Sequence, residues 1–327
     1  MPVFKPASIG EGEFTKNKAI ALTFLSSMMF ATSYVAIKIG VEAGDPLAFQ
    51  ALAIGLGGIL AVFLAVMRGN LTLRIYQKWE VWAAMLIGAI SIALEFLGMT
   101  MTNASKGALI IGSTVVFAAP LSALVLKERF NRTSMVGIAL GMIGLVSLTT
   151  GWNFKNLLEG EFLGDMMLIG SAATGATIWV LTKRALRRLT YDQWITGVYT
   201  LYPIPLFVFA CATGASFALD LDSMIPTFYV GIMCTSIPSL LWAKGLTKIT
   251  VTTSATIVLS EAIFGTLLGC IILGEVLTFP GIAGAAMIFA AIYISAKREE
   301  SCEDKEEGVS CESHEMNSGH RSATEFC

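Results

Sequence analysis

Two glutamates, Glu95 and Glu261, each lie inside a long run of apolar residues. Placing an ionised group in such surroundings costs about 2.5–3.5 kcal/mol on membrane-insertion scales, so an acid there usually faces a cavity or a polar partner. A carboxyl group in an apolar environment can also hold and release a proton. We therefore predict that both glutamates bind substrate and that Glu261 is the proton-coupling residue. The alternative is a protonated glutamate that donates a structural hydrogen bond to a neighbouring helix.

The sequence lacks the motifs of metal-dependent hydrolysis, nucleotide binding and serine-nucleophile catalysis. The sequence contains no HExxH metal motif, no phosphate-binding Walker loop and no GxSxG nucleophile motif. Histidine, a common intramembrane base, occurs only at His314 and His320, outside the apolar segments. We therefore expect no catalytic residue, no cofactor and no enzyme activity. Since a nucleotide-binding motif is missing, the energy for any transport would come from a gradient.

Cysteine and histidine residues are grouped in an acidic segment at the end of the chain. Cys302, Cys311 and His314 have the ligand types of a zinc site but not its usual paired spacing. Residues 297–327 carry nine acids and four bases, which gives them a net charge of −5. We therefore favour a disordered acidic tail over a metal site, and we expect no metal.

The composition places the chain in a membrane. Hydrophobic residues make up 55% of it and charged residues 14%, which is too apolar for a water-soluble globule. Its apolar segments are each near the twenty residues that cross a bilayer core of about 30 Å, and none alternates like a β-barrel strand. We predict ten transmembrane helices, at roughly 19–40, 46–67, 81–101, 104–126, 134–151, 162–183, 193–213, 223–246, 252–273 and 279–296.

The two halves of the chain repeat one unit. Ala104–Glu128 returns in altered form as Thr250–Glu275, and each stretch has a small-residue turn, a long apolar run and a closing glutamate. Matching the glutamates gives an offset of 147 residues, and SYVAIK at 33–38 resembles IWVLTK at 178–183. So long a period indicates a duplicated half. Since each half contains five segments, an odd number, the second half is inverted relative to the first.

Positive charge orients this bundle. If the amino terminus is cytoplasmic, nineteen of the 22 lysines and arginines fall on the cytoplasmic side, and only Lys38, Lys106 and Lys155 fall outside. The positive-inside rule then predicts that both termini are cytoplasmic. On this scheme Glu261 lies about 13 Å into the ninth span, near the membrane midplane, and Glu95 lies nearer the outer surface.

Together these features resemble the EamA branch of the drug/metabolite transporter superfamily. The resemblance rests first on the two inverted sets of five spans and on the SYVAIK segment of span 1. It rests also on the LKE and LGE that close the fourth and ninth spans, and on Gly137 and Gly284, each nine residues after a closing glutamate. It covers about residues 19–296. It implies a secondary transporter of small metabolites, often an exporter of amino acids or related compounds.

The same resemblance implies a cavity lined mainly by spans 1, 3, 4, 6, 8 and 9. Tyr34, Trp179 and Trp242 lie on those spans, so we predict that they bind substrate with the two glutamates; the alternative is that they only pack or lie at the membrane interface. Two acids make the cavity neutral or negative. We therefore expect an amine-bearing solute such as an amino acid or organic cation, and not a phosphorylated sugar.

Several other residues receive structural predictions. Lys38 and Lys183 occupy matched positions at span ends, and we expect both to reach the lipid headgroups. Glu128 and Glu275 close their spans, and we expect them to be structural or capping charges. The prolines predicted to interrupt spans 7 and 8 are Pro203, Pro205 and Pro238.

The predicted organisation is an all-α membrane protein with a cytoplasmic leader (1–18), a first repeat (19–151), an extracytoplasmic connector (152–161), a second repeat (162–296) and the acidic tail (297–327). The predicted function is secondary active export of amine-bearing solutes with proton coupling, in a plasma or inner membrane. The alternative is a non-transporting membrane scaffold or an intramembrane lipid-modifying enzyme. The expected partners are a small-molecule substrate and the lipid bilayer, with no nucleic acid; a homo-oligomer is left open.

Overall fold

The computed structural model describes residues 14–101, 109–128, 131–154, 162–218, 220–273 and 278–319. Every regular element in these ranges is helical, and no strand occurs among them. The all-α class predicted from the sequence is therefore confirmed. Four residues that the sequence singled out lie outside the described part of the chain: Lys106, Lys155, Glu275 and His320. The same holds for the side chains of Tyr34, Lys38, Cys302, Cys311 and His314.

The helices form ten spans, five in each half. Spans 1 to 5 are Lys16–Ala43, Pro46–Met67, Trp79–Met101, Leu109–Leu126 and Arg132–Thr150, and span 4 consists of 109–112 and, after a turn at Ser113, Thr114–Leu126. The second half comprises Phe162–Ala185 (span 6), Tyr191–Leu201 with Pro203–Ala212 (span 7), Leu221–Tyr229 with Val230–Ser236 and Ile237–Leu246 (span 8), Val251–Val258 with Ser260–Leu273 (span 9), and Phe279–Gly319 (span 10). A short 3-10 helix, Leu73–Gln77, joins spans 2 and 3.

The length and composition of these helices suit a bilayer. Within the described residues, nine of the spans contain a segment long and apolar enough to cross a membrane. The remaining one, span 3, is a helix of 23 residues. The chain is therefore an integral, multi-pass membrane protein. The helix of span 10 continues past its apolar part, Phe279–Glu299, as far as Gly319, and the disorder expected for the tail stays a prediction.

Several spans begin at a residue whose side chain satisfies free backbone amides. Asp45 accepts hydrogen bonds from the amides of the two residues after Pro46, and Asn131 accepts one from the amide of Ser134. Thr190 forms a capping box with Gln193 at the start of span 7. Short polar side chains at these positions stabilise a helix by about 1 kcal/mol each. The loop sequences therefore define where these spans start.

The two halves interlock as the repeat requires. Span 5 packs on span 10, span 2 on span 7 and span 4 on span 9, so each pair joins equivalent helices. Span 3 packs on span 6 just as span 1 packs on span 8. Glycines allow the closest approaches: a Cβ at Gly144 would lie 2.7 Å from the carbonyl oxygen of Gly284, and one at Gly98 would lie 2.9 Å from that of Gly164.

The helices of spans 4 and 9 are each interrupted by a tight turn, at nearly equivalent positions of the two repeats. In span 9 the amide of Leu259 bonds to the carbonyl of Thr256, three residues earlier, and the helix divides there. In span 4 the turn lies at Ser113, which the 147-residue offset pairs with Ser260. Pro120 lies within the following helix of span 4, so neither turn depends on a proline at the site.

Spans 7 and 8 are also interrupted. Span 7 divides at Tyr202, directly before Pro203, and span 8 contains a π-helical segment, Val230–Ser236, just before Pro238. The interruptions predicted near Pro203 and Pro238 are therefore present. Span 3 is the repeat equivalent of span 8, yet it is one α-helix. The repeat is thus approximate at this pair of spans.

Candidate functional site

A cavity of about 260 Å³ lies among the spans of the second half, and Phe30 of span 1 is the one described lining residue from the first half. Its described lining residues come from spans 1, 6, 7, 8 and 9, whereas spans 3 and 4, which the resemblance implied, contribute none of them. Span 7, which was not expected, contributes more of the lining than any other span. The aromatic members of the lining are Phe30, Trp179, Trp194, Tyr199, Tyr202 and Trp242.

Glu261 is the only acidic or basic residue among the described residues that line this cavity. It lies in the first turn of the second half-helix of span 9, Ser260–Leu273. The free amides at a helix N-terminus favour a carboxylate, and interrupted helices of this kind form ion and substrate sites in many transporters. The sequence predicted the depth of Glu261 but not this helix start beside it.

Two of the predicted aromatic residues lie with Glu261. Trp179 and Trp242 both line the cavity, and their ring centroids are 5.8 Å apart with an interplanar angle of 52°. The indole N–H of Trp242 donates to the hydroxyl of Ser254 at 2.9 Å, which fixes the orientation of the ring. The structure therefore brings three of the five predicted site residues together.

Glu95 and Tyr34 are not part of this group. Glu95 lies on span 3, its side chain is exposed, and it hydrogen-bonds to the hydroxyl of Ser171 on span 6. It is not among the described residues that line the cavity. The backbone of Tyr34 belongs to span 1, and its side chain lies outside the described part of the structure. The roles predicted for both residues stay predictions.

Sequence reasoning missed the contribution of span 7. Trp194 and Tyr202 line the cavity, and the hydroxyl of Tyr199 lies 2.6 Å from that of Ser239 on span 8. Tyr199 and Tyr202 also pack together, with ring centroids 5.5 Å apart. The signal was present in the sequence, because span 7 concentrates tyrosine and tryptophan at helical spacing. Only the packing of span 7 on span 8 shows that these rings face the site.

A cluster of charges surrounds the join between spans 8 and 9. We call this the basic end, because it holds Lys183 and Arg187. The ammonium of Lys183 donates to the carbonyls of Leu246 at 2.6 Å and Ile249 at 2.7 Å. The expectation that Lys183 reaches the headgroups is therefore wrong: the short join between spans 8 and 9 leaves helix-end carbonyls that a nearby cation satisfies.

Two carboxylates complete this cluster. Glu128 accepts hydrogen bonds from the amide of Val251 at 3.0 and 3.2 Å, and Glu299 accepts one from the amide of Thr250 at 2.5 Å. The capping role predicted for Glu128 is confirmed, although the helix that it caps is span 9. Burial raises the pKa of Glu128, and the charge of Lys183 partly opposes that rise.

Comparison with known proteins agrees with this architecture. Residues 17–150 and 162–296 each match the EamA-like transporter family. A known crystal structure superposes on this chain with a TM-score of 0.75 at 16% sequence identity, and the match covers 86% of this chain and 98% of that one. This similarity supports the fold alone.

Relatives of similar length carry transporter names. The chain is 24% identical over 275 residues to the uncharacterized transporter YwfM of Bacillus subtilis (strain 168), which covers 83% of this chain and 90% of that protein. It is 23% identical over 287 residues to a probable amino-acid metabolite efflux pump of Salmonella typhimurium, covering 84% and 93%. With both halves matched separately, the resemblance seen in the sequence is confirmed, and the chain belongs to the EamA-like transporter family.

Proposed function

We propose that this chain is a secondary active transporter that exports small amine-bearing solutes, such as amino acids or organic cations, in exchange for protons. The observation that carries the proposal is the position of Glu261 in an aromatic cavity formed by spans 6 to 9 of the second half and Phe30 of the first half. A site between inverted repeats is exposed to each side in turn when one half rocks against the other. The name of the Salmonella relative, a probable amino-acid metabolite efflux pump, agrees with this substrate class.

The charge of the lining supports an amine. An ionised Glu261 attracts an ammonium group, and none of the described lining residues is a lysine or arginine that would neutralise a phosphate. One carboxylate holds either a proton or an ammonium group, because the proton removes the charge that attracts the amine. Competition of this kind couples the two movements in opposite directions.

The proposed cycle follows from that competition. An amine binds ionised Glu261 from the cytoplasmic side, the bundle rocks, and a proton from outside displaces the amine. The protonated site then returns and releases its proton inside. The cycle assigns both termini to the cytoplasm and the protein to a plasma or inner membrane. It uses only the proton gradient as a source of energy.

The test is Glu261→Gln in proteoliposomes. Glutamine keeps the size of the side chain and its hydrogen bonding but cannot titrate. We expect the variant to fold and to exchange amine passively, while accumulation driven by a pH gradient falls to the level seen without a gradient. Asp222→Asn, at an exposed acid in the first turn of span 8, is the matched control and should keep full accumulation. Full coupling in Glu261→Gln would show that another residue carries the proton.

The same assay separates transport from the alternative functions. A scaffold or a lipid-modifying enzyme would give no protein-dependent movement of any amine across the vesicle membrane. Glu95→Gln is measured alongside, because Glu95 is the second acid of the predicted site. A loss of coupling in Glu95→Gln alone would show that Glu95 on span 3 carries the proton, and not Glu261 on span 9.

A further inference from the structure

We propose that the cavity selects alkylated ammonium ions that carry no carboxylate, in preference to primary amines and amino acids. This inference rests on the proposed function and narrows its substrate class. It comes from the way in which the polar groups of the aromatic lining are already used. Most of them bond to other protein groups, so the rings offer mainly their π surfaces.

Three pairs of side chains show this use of polar groups. The indole N–H of Trp194 donates to the hydroxyl of Thr182 at 3.1 Å, and that of Trp242 donates to Ser254 at 2.9 Å. The hydroxyls of Tyr199 and Ser239 lie 2.6 Å apart and bond to each other. Tryptophan has a single donor, so neither Trp194 nor Trp242 retains one for a solute.

A lining of this kind favours a weakly hydrated cation. Ring faces attract a cation by their quadrupole, and groups of aromatic side chains bind quaternary ammonium in this way. A primary ammonium carries three N–H donors, and it loses free energy when it leaves water without finding an acceptor for each. A quaternary ammonium has no donor to satisfy. The aromatic walls therefore favour the alkylated ion, and Glu261 balances its charge.

The same cavity disfavours a zwitterion. A substrate carboxylate would meet Glu261, and no described lining residue is a lysine or arginine to pair with it. The volume of about 260 Å³ lies at the small end of ligand pockets, which measure ~300–1,000 Å³, so the solute is also small. A compact organic cation meets the requirements of both charge and size.

Three small probes test this choice in the full-length protein. Choline is quaternary and has no carboxylate, ethanolamine is its primary amine, and glycine betaine is quaternary with a carboxylate. We expect choline to bind at least about tenfold more tightly than either of the others, as one cation–π contact of ~1–2 kcal/mol would give. Thermal stabilisation measures binding, and uptake into proteoliposomes measures transport.

The outcomes separate this inference from the proposed function. If ethanolamine or glycine betaine binds as tightly as choline, or more tightly, selection by alkylation or by charge is refuted while amine transport stands. If the vesicles accumulate none of these probes and no amino acid, the proposed function fails as well. If choline alone binds and moves, both statements hold.

Ring-removing variants test the contribution of the π surface. Trp179→Leu should weaken choline binding about tenfold, and Trp179→Phe, which retains a ring, should weaken it less. Ethanolamine binding should change little in either variant. Trp79→Leu is the matched control, because Trp79 is 59% exposed and lies outside the described lining. Equal losses for choline and ethanolamine in Trp179→Leu would indicate packing alone and would overturn the inference.

Discussion

Glu261 occupies the first turn of a half-helix, where the positive end of the helix dipole favours a carboxylate. Glu128 holds the amide of Val251 at another helix start, and Lys183 holds carbonyls at the end of span 8. A side-chain charge opposite in sign to the partial charge of the helix end stabilises the protein by about 0.3–1 kcal/mol, and by up to ~2 kcal/mol when it is partly buried. Each of the three side chains therefore lies at a helix end whose partial charge offsets part of the cost of placing an ionised group near lipid.

Glu128→Gln should change how stability depends on pH. Burial raises the pKa of Glu128, so in a pH window just above its ordinary value of about 4.3 the folded protein keeps a proton that the unfolded chain has lost. This residue therefore makes the protein less stable as pH rises through that window. Glutamine keeps an acceptor for Val251 but cannot titrate. The free energy of unfolding of the variant should fall less with pH.

Chemical denaturation in detergent at a series of pH values provides the measurement for Glu128. Asp222→Asn serves as the control, because it removes one exposed acid and leaves the cluster at the basic end intact. A wild-type protein that gained stability relative to Glu128→Gln as pH rose would contradict the raised pKa. Equal pH profiles would show that the unfolded chain holds this proton equally well.

Spans 5 and 10 approach each other closely enough that their backbones are in contact at two glycines. A Cβ on Gly144 would lie 2.7 Å from the carbonyl oxygen of Gly284, and one on Gly284 would lie 2.5 Å from that of Gly144. Backbone atoms cannot swing aside as a flexible side chain does. These two helices therefore hold their spacing only while both positions remain glycine.

Gly144→Ala should destabilise the protein by about 1–3 kcal/mol, the range for forcing an extra carbon into a packed contact. Gly55→Ala is the matched change, because a Cβ there would make only an ordinary 3.5 Å contact with Phe207. In that helix alanine gains up to ~1 kcal/mol of propensity over glycine. Unfolding in detergent compares the two variants. Equal stabilities would show that spans 5 and 10 separate without cost.

Spans 8 and 3 differ although they are repeat equivalents. The π-helical Val230–Ser236 packs on span 2, where the hydroxyl of Ser236 donates to the carbonyl of Gly57. A π-helical turn inserts a residue into the helix and often marks a functional position. The corresponding span 3 carries Glu95 on a regular helix. The described lining of the cavity includes residues of span 8 and none of span 3.

Across the whole molecule, an odd number of spans per half places the two halves in opposite orientations. Cysteine substitutions test this in a variant from which the native cysteines are removed. A cysteine at Asp222 should react with an impermeant thiol reagent added outside intact cells, and cysteines at Arg74 and Arg187 should not, since positive charge is retained in the cytoplasm. All three positions are exposed. Reaction at Arg187 with protection at Asp222 would reverse the orientation of the second half.

The sequence by itself determined the class, the number of spans and the duplication. Apolar runs of membrane length are a local property, and the 147-residue offset between Glu128 and Glu275 needs no knowledge of packing. It also picked out Glu261, because an acid in an apolar run is costly wherever it lies. Caps such as Asp45 and Thr190 defined helix starts for the same reason: their partners are only two or three residues away.

Only the tertiary structure decided which residues share the site. Tyr199 and Ser239 are forty residues apart, and their contact depends on how span 7 packs against span 8. The partners of Lys183 are carbonyls of a distant loop, which carry no side-chain signature. The helix division at Leu259 occurs without a proline, so no local breaker in the sequence marks it. Interactions that join distant spans depend on packing geometry, which the local pattern of the sequence does not contain.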